Sequence, residues 1–368
     1  MSNRKIRLGI TQGDINGVGY EVILKALADQ RILELFTPVI YGSRHIAEFY
    51  RQGAGLPDLN ILTLQGNASQ AADERINLVE VTPHSVKAEP GKESKEAGAA
   101  AVAALDAAVT DLRQGYIDAL VTAPINKHVI QSDSFRFPGH TEYLHSRLAD
   151  HDQRALMILC NDDLRVALVT IHTPISEISA AITKEAVEDK IADFNLSLTR
   201  DFALPHPHIA VLALNPHAGD GGLLGTEETA VIAPAIAAAS AKGINCFGPF
   251  AADGFWGSGQ WQKFDGVLAM YHDQGLAPFK TLAMHSGVNY TAGLDYVRTS
   301  PDHGTGFDIA GTNQADPESM RCAMYRAVDI VRNRRFHAQA VRNPLRKQYV
   351  EKNKKDNVVL DLTKSSDE

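Results

Sequence analysis

The chain has 368 residues, more than the roughly 250 to 300 at which a single hydrophobic core usually stops growing, so two domains sharing an interface are expected and a single small module is excluded. With 44% hydrophobic and 22% charged residues the composition is that of a globular protein, neither disordered nor fibrous. Lys plus Arg number 36 against 44 Asp plus Glu, a net charge of −8, which argues against an electrostatic nucleic-acid binder and leaves room only for a local basic pocket holding a small anion. The three cysteines, Cys160, Cys246 and Cys322, are scattered and odd in number, so they read as reduced core residues rather than a disulfide framework or a zinc knuckle. The N-terminus leads straight into a strand-like segment with no signal-peptide pattern, and no run of about 20 apolar residues offers a membrane span. A soluble, cytoplasmic protein is expected.

In chain order, short β-branched runs alternate with helical patterns, the signature of an α/β fold with a largely parallel sheet. The strands predicted are Lys5–Thr11, Thr37–Gly42, Asn77–Val81, Ile117–Ala123, Arg165–His172, His208–Leu214 and Phe264–Tyr271. Helices are predicted at Val18–Leu27, Ser94–Arg113, Thr141–Leu148, Lys184–Leu198, Glu227–Ala241 and Pro317–Arg334. The Ala-rich helix from Ser94 carries Leu105, Val109 and Leu112 on one stripe, and its small side chains suit close packing against another element. Leu345–Glu368 is polar and charged and reads as a partly disordered tail.

Three of the most apolar strands end alike: Val-Ala-Leu-Val-Thr-Ile-His172, Ile-Ala-Val-Leu-Ala-Leu-Asn-Pro-His217 and Gly-Val-Leu-Ala-Met-Tyr-His272. Each delivers an imidazole beyond a strand, at the edge where ligands sit in open α/β sheets, so the three are candidate ligands of one divalent ion. Neutral imidazole suits zinc and its first-row neighbours and leaves coordination positions for substrate. Each histidine taken alone also fits a structural role. Asn215–Gly222 is richer in glycine than a connector needs, consistent with backbone lying close to a ligand. Asp273 stands beside His272, and Lys280 follows eight residues after that histidine.

Pro138-Gly-His140-Thr141-Glu142 starts a helix, with Thr141 a candidate N-cap and the helix start a candidate anion site. Asn289 and Arg298 lie in a later Gly- and Thr-rich region, where the Arg fork could grip phosphate or carboxylate. Gly13–Glu21 follows the first strand but does not match G-x-G-x-x-G, and no P-loop is present, so pattern alone gives no Rossmann-type cofactor site.

Together these segments resemble the 4-hydroxythreonine-4-phosphate dehydrogenase family of vitamin B6 biosynthesis. Gly13–Glu21 resembles the family's opening Gly-Asp-Pro-x-Gly-Ile-Gly-Pro-Glu, with Ile15 and Tyr20 standing where the family usually has proline. Thr122-Ala-Pro-Ile-Asn-Lys127 is similar to its next loop, and Pro138–Glu142 to its substrate loop. The resemblance runs from about residue 5 to residue 335. It implies two α/β/α domains like those of isocitrate and isopropylmalate dehydrogenases, with the active site in the cleft between them. Residues 1–125 and 265–345 would form a discontinuous first domain, 126–264 the second, and 346–368 the tail.

By the same resemblance His172, His217 and His272 would ligate the metal (zinc, cobalt or magnesium), contributed from both subunits of a homodimer. His140, Thr141, Lys280, Asn289 and Arg298 would bind a phosphorylated substrate, and Lys280, Asp273 and Asp253 would serve or tune proton transfer. Pro301–Gly311 resembles the adenosine-binding loop of the wider group, so His303, Gly304 and Asp308 would hold NAD, or NADP. The implied reaction is a metal-dependent oxidation of 4-phosphooxy-L-threonine followed by decarboxylation to 3-amino-2-oxopropyl phosphate. Three other readings are a paralogous dehydrogenase of D-erythronate or D-threonate 4-phosphate, a three-histidine metallohydrolase, and a catalytically silent metabolite-binding protein.

Overall fold

The computed structural model describes residues 4–131, 137, 139–148 and 153–342, with the side chains of 140–142 left out, so the tail predicted at 345–368 lies outside the described residues. Among the described residues, twelve strands form one sheet. They are β1 (Arg7–Thr11), β2 (Thr37–Gly42), β3 (Ile61–Leu64), β4 (Ile76–Glu80), β5 (Ala119–Thr122), β6 (Leu156–Cys160), β7 (Arg165–Leu168), β8 (Ile209–Leu212), β9 (Cys246–Phe250), β10 (Gly266–Ala269), β11 (Val288–Ala292) and β12 (Val297–Pro301). The helices are α1 (Gly19–Ala26), α2 (Arg44–Gly53), α3 (Lys95–Arg113), α4 (His140–Leu148), α5 (Ile175–Ala181), α6 (Lys184–Arg200), α7 (Ala233–Ala241), α8 (Ala252–Gly257), α9 (His272–Ala283) and α10 (Glu318–Arg342).

The sheet order is β3-β4-β2-β1-β5-β12-β11-β6-β7-β10-β8-β9. From β3 to β12 every pairing is parallel, as is every pairing from β7 to β9. Between these runs the β12–β11, β11–β6 and β6–β7 pairings are antiparallel, so the two parallel halves point in opposite directions. Strand β10 hydrogen-bonds β7 and β8, and β12 pairs with β5.

Both faces of each half are covered, which is why the central strands are apolar without alternation in polarity. Val39 and Tyr41 of β2 and Leu120 of β5 share a cluster with Ala104, Leu105 and Ala108 of α3. Leu8, Ile10 and Ile40 turn to the other face and join Ile23 of α1 with Met324 and Val328 of α10. In the second half Val187, Ile191 and Phe194 of α6 meet Ile209 and Val211, whereas Phe255 of α8 and Leu276 and Phe279 of α9 meet Leu168, Leu212 and Ala269. Buried Asp201, just after α6, ties the halves together by accepting from Tyr290 Oη (2.6 Å) and Arg334 Nε (2.7 Å). Burial pushes its pKa up, but the Arg334 and Arg200 guanidiniums outweigh this and hold it below the usual carboxylate range.

Several local expectations change. Ser94 caps α3 by accepting from Ala97 N–H (3.0 Å), as its position predicts. The helix expected at Glu227–Ala241 opens with a π turn, Glu228–Ile232, before α7. Helix α4 begins at His140, which puts Thr141 in its first turn rather than at the cap. Tyr20, in place of the family proline, starts α1 fully buried and donates its hydroxyl to Gln12 Oε1 (2.7 Å). The preceding turn is held by Asp14 Oδ1 accepting from Asn16 N–H (2.9 Å), and a Cβ on Gly13 (φ +69°) would lie 2.4 Å from the Pro124 carbonyl.

Candidate active site

A cavity of about 290 Å³ opens over the antiparallel middle of the sheet. Its floor comes from β11 and β12, where Asn289 is registered opposite Ser300 and Thr291 opposite Arg298. Period-2 alternation puts these four side chains on one face. The Arg298 guanidinium is buried and fixed: Nε and Nη2 donate to Thr122 Oγ1 (3.1 and 2.6 Å), and Nη1 donates to Thr291 Oγ1 (3.1 Å). Asn289 Oδ1 is buried with no hydrogen-bond partner among the described residues, so it can accept from a bound molecule.

One stripe of α9 forms the opposite wall, where His272, Leu276 and Lys280 recur at the i, i+4, i+8 spacing of one helix face. The segment after β7 brings in His172, whose ring centroid lies 6.4 Å from that of His272. His272 Nδ1 donates to Asp273 Oδ1 (2.7 Å), which leaves Nε2 as the ring's lone-pair nitrogen. Lys280 Nζ pairs with Asp302 Oδ1 at 3.2 Å. Burial raises the pKa of Asp302, and the Lys280 ammonium partly offsets this. With Lys127 from the loop after β5, three cations line a cavity in a chain whose net charge is −8.

A second cavity of about 240 Å³ shares His303 and Gly304 with the first. Val18 and Val22 of α1, Met284, Ile309 and Ala315 make it mostly apolar, with His285 and Asp316 paired at 3.2 Å in its wall. His303 Nδ1 donates to the Gly304 carbonyl (3.0 Å), and its buried Nε2, without a partner among the described residues, is in the neutral ring the acceptor nitrogen where the cavities join. The Gly13–Gly19 loop braces this junction, since Val18 N–H donates to Thr305 O (2.9 Å).

The structure therefore brings together Lys280, Asn289, Arg298, His172 and His272, with His303 and Gly304 at the junction. Asp273 touches His272 but is itself exposed. His217, Asp253 and Asp308 are exposed and line neither cavity. Among the described residues, no three His, Cys, Asp or Glu side chains within one chain form a metal cluster. The side chains of His140 and Thr141 lie outside the described residues, although Gly139 just before them lines the cavity. Sequence reasoning missed Thr122, Ser300 and Asp302. The available signal was the period-2 pattern of Arg298, Ser300 and Asp302 leading into the His303–Gly304 loop.

This is an α/β fold of the kind that carries enzymes, and its cation-lined cavity has the chemistry that suits a small anionic molecule. The family model described as pyridoxal phosphate biosynthetic protein PdxA matches residues 34–327. A 4-hydroxythreonine-4-phosphate dehydrogenase of Bacteroides thetaiotaomicron is 56% identical over 352 residues, 96% of each protein. One from Sulfurihydrogenibium sp. is 38% identical over 90% of this chain and all of its own length. The crystal structure of a 4-hydroxythreonine-4-phosphate dehydrogenase from Klebsiella pneumoniae superimposes with a TM-score of 0.77 at 33% identity, covering 90% of this chain and 99% of its own. The chain belongs to the PdxA family of pyridoxal phosphate biosynthesis, and it is a dehydrogenase.

Proposed function

We propose that this enzyme oxidises 4-phosphooxy-L-threonine at its secondary hydroxyl with NAD, giving a β-keto acid that loses CO2 to become 3-amino-2-oxopropyl phosphate. The observation that carries this reading is the convergence of Lys280, Asn289 and Arg298 with His172 and His272 in one cavity, joined through His303 and Gly304 to an apolar slot. The fixed Arg298 fork suits a phosphate or carboxylate oxygen pair, and Asn289 Oδ1 suits a donor such as the substrate's ammonium or hydroxyl. Lys280 faces the same space, where an ammonium can hold the carboxylate and later return a proton to the carbon that CO2 leaves.

The apolar walls of the second cavity suit the adenine ring of NAD, and His303 and Gly304 would hold it; when bound, its nicotinamide supplies the hydride acceptor. A divalent ion fits the donor chemistry of His172 and His272, completed by His217 of a second copy, and it would acidify the hydroxyl and stabilise negative charge on that oxygen. Imidazole ligands favour zinc or cobalt over magnesium. The assembly we infer is a homodimer with shared sites. Its support is that His217 and the exposed apolar Leu223 (78%) and Leu224 (44%) stand on one short segment outside the chain's own cavity. The carboxylate Asp253 belongs to the same neighbourhood, because α8 packs against that segment.

The test is NADH formation with 4-phosphooxy-L-threonine, assayed beside D-erythronate and D-threonate 4-phosphates, with NADP in a parallel series and after chelation of divalent ions. Turnover of the amino substrate with NAD, lost on chelation and restored by metal, is the expected result. Phosphate release without NAD would instead favour a metallohydrolase, and substrate binding without any turnover a silent binding protein.

A further inference from the structure

The cavity is cationic, yet one carboxylate, Asp302, stands among the described residues that line it. A carboxylate repels the anionic substrate proposed above, so its presence in that wall calls for a role. The side chain of Asp302 is only 11% exposed, and its Oδ1 lies 3.2 Å from Lys280 Nζ, whose own side chain is 43% exposed.

The backbone of Asp302 is pinned independently of that pair. Its N–H donates to Ser319 Oγ (3.0 Å) and approaches the Gly287 carbonyl (3.3 Å), while Ser319 Oγ donates to that same carbonyl (2.7 Å). Gly287 allows this close approach, since a Cβ there would lie 3.2 Å from Asp302 Cβ and 3.1 Å from Ala283 O at the end of α9. The turn that follows the helix carrying Lys280 is thus held, at Gly287, against the residue that pairs with the Lys280 ammonium.

We propose that Asp302 is the positioning residue for Lys280: it fixes the flexible lysine over the cavity floor. This rests on the reading of the cavity as a phosphorylated-substrate site. Lysine's four-carbon stem is free to swing into solvent, and fixing it in advance removes an ordering cost from each binding event. The charged and titratable groups lining the cavity with Lys280 are Lys127 from the loop after β5, Arg298 from β12, His303 beyond β12, His172 beyond β7 and His272 on α9 itself.

The test is a double-mutant cycle of Asp302→Asn and Lys280→Ala, read as separate KM values for phosphorylated substrate and for NAD. Asp302→Asn should raise the substrate KM about tenfold or more with the NAD KM within about twofold, and should add no further loss in the Lys280→Ala background. An equal loss in both backgrounds, or equal rises in both KM values, overturns the proposal. Reductive methylation with labelled formaldehyde and NMR relaxation of the labelled Lys280 methyls give a readout independent of turnover. The Lys280 signal should become markedly more mobile in Asp302→Asn than in the wild type, and unchanged mobility overturns the proposal even if none of the substrates is oxidised. If Asp302→Asn does not fold, Ser319→Ala loosens the same carboxylate without altering charge, and it should raise the substrate KM selectively.

Discussion

Arg298 shows how much a single side chain settles in this site. Its three guanidinium hydrogen bonds to Thr122 and Thr291 fix the plane of the fork on the cavity floor. Lysine at this position keeps the charge but loses the planar, two-pronged geometry. Arg298→Lys should therefore raise the KM for phosphorylated substrate about tenfold or more while the NAD KM stays within about twofold. Steady-state kinetics with each substrate varied in turn check this, and equal rises would mean that Arg298 supports the fold of β12 rather than the substrate. The sequence pointed to Arg298, Asn289 and Lys280 through the family resemblance, and to His172 and His272 through the shared ending of their strands, and the structure places all five on one cavity. Asp302 was not legible in this way, because a carboxylate in an anion site makes sense only once its partner, 22 positions earlier in the chain, is seen beside it.

At the scale of elements, the sequence announces most strands whose residues are uniformly apolar and conceals those whose polar side chains line a cavity, as in β11 and β12, or that form a sheet edge, as in β3 and β9. The seven strands expected from apolar runs all form, because β1, β2, β5, β7, β8 and β10 are covered on both faces and β4 nearly so. Strands β11 and β12, Val-Asn-Tyr-Thr-Ala and Val-Arg-Thr-Ser-Pro, fall in the Gly- and Thr-rich region where no strand is predicted, because the polar side chains on one face of each form the floor of the cavity. Their polar residues form a wall rather than a solvent face, a distinction that appears only with the β12–β11 register. Helix α9 hides similarly: His272 and Lys280 interrupt the apolar pattern of Leu276, Phe279 and Ala283. The Ala-rich helix α3 behaves as its composition suggests, with a specific consequence at Gly98. Alanine there would gain about 1 kcal/mol of helix propensity, but its Cβ would lie 2.5 Å from the Val129 carbonyl, a backbone atom that cannot yield cheaply. Gly98→Ala should therefore lower Tm, measured by calorimetry, where propensity alone predicts a rise.

For the whole molecule the unresolved relation is between His217 and the cavity that holds the other two histidines. His217 sits in a run of left-handed backbone, His217 (φ 52°), Ala218 (φ 53°), Gly219, Asp220 (φ 44°) and Gly221, in which three residues are not glycine. Each such residue costs on the order of 1 kcal/mol, so the conformation persists only because its surroundings hold it. Buried Glu228 does so from the π turn, accepting from the N–H groups of Leu214 and Asn215 (2.8 and 2.7 Å), while Asn215 Nδ2 also donates to Glu227 and Glu228. The result is a braced segment that presents an exposed histidine and two exposed leucines away from the chain's own cavity. If a second copy receives that histidine, His217→Ala and His272→Ala each leave every site of their own dimer broken. Mixing the two inactive proteins under conditions that exchange subunits then regenerates one intact site per mixed dimer, and activity should return to roughly a quarter of wild type at equal input. A mixture that stays inactive despite subunit exchange shown by mass spectrometry would mean that each chain builds its site alone, and that His217 has no part in the chemistry of its neighbour.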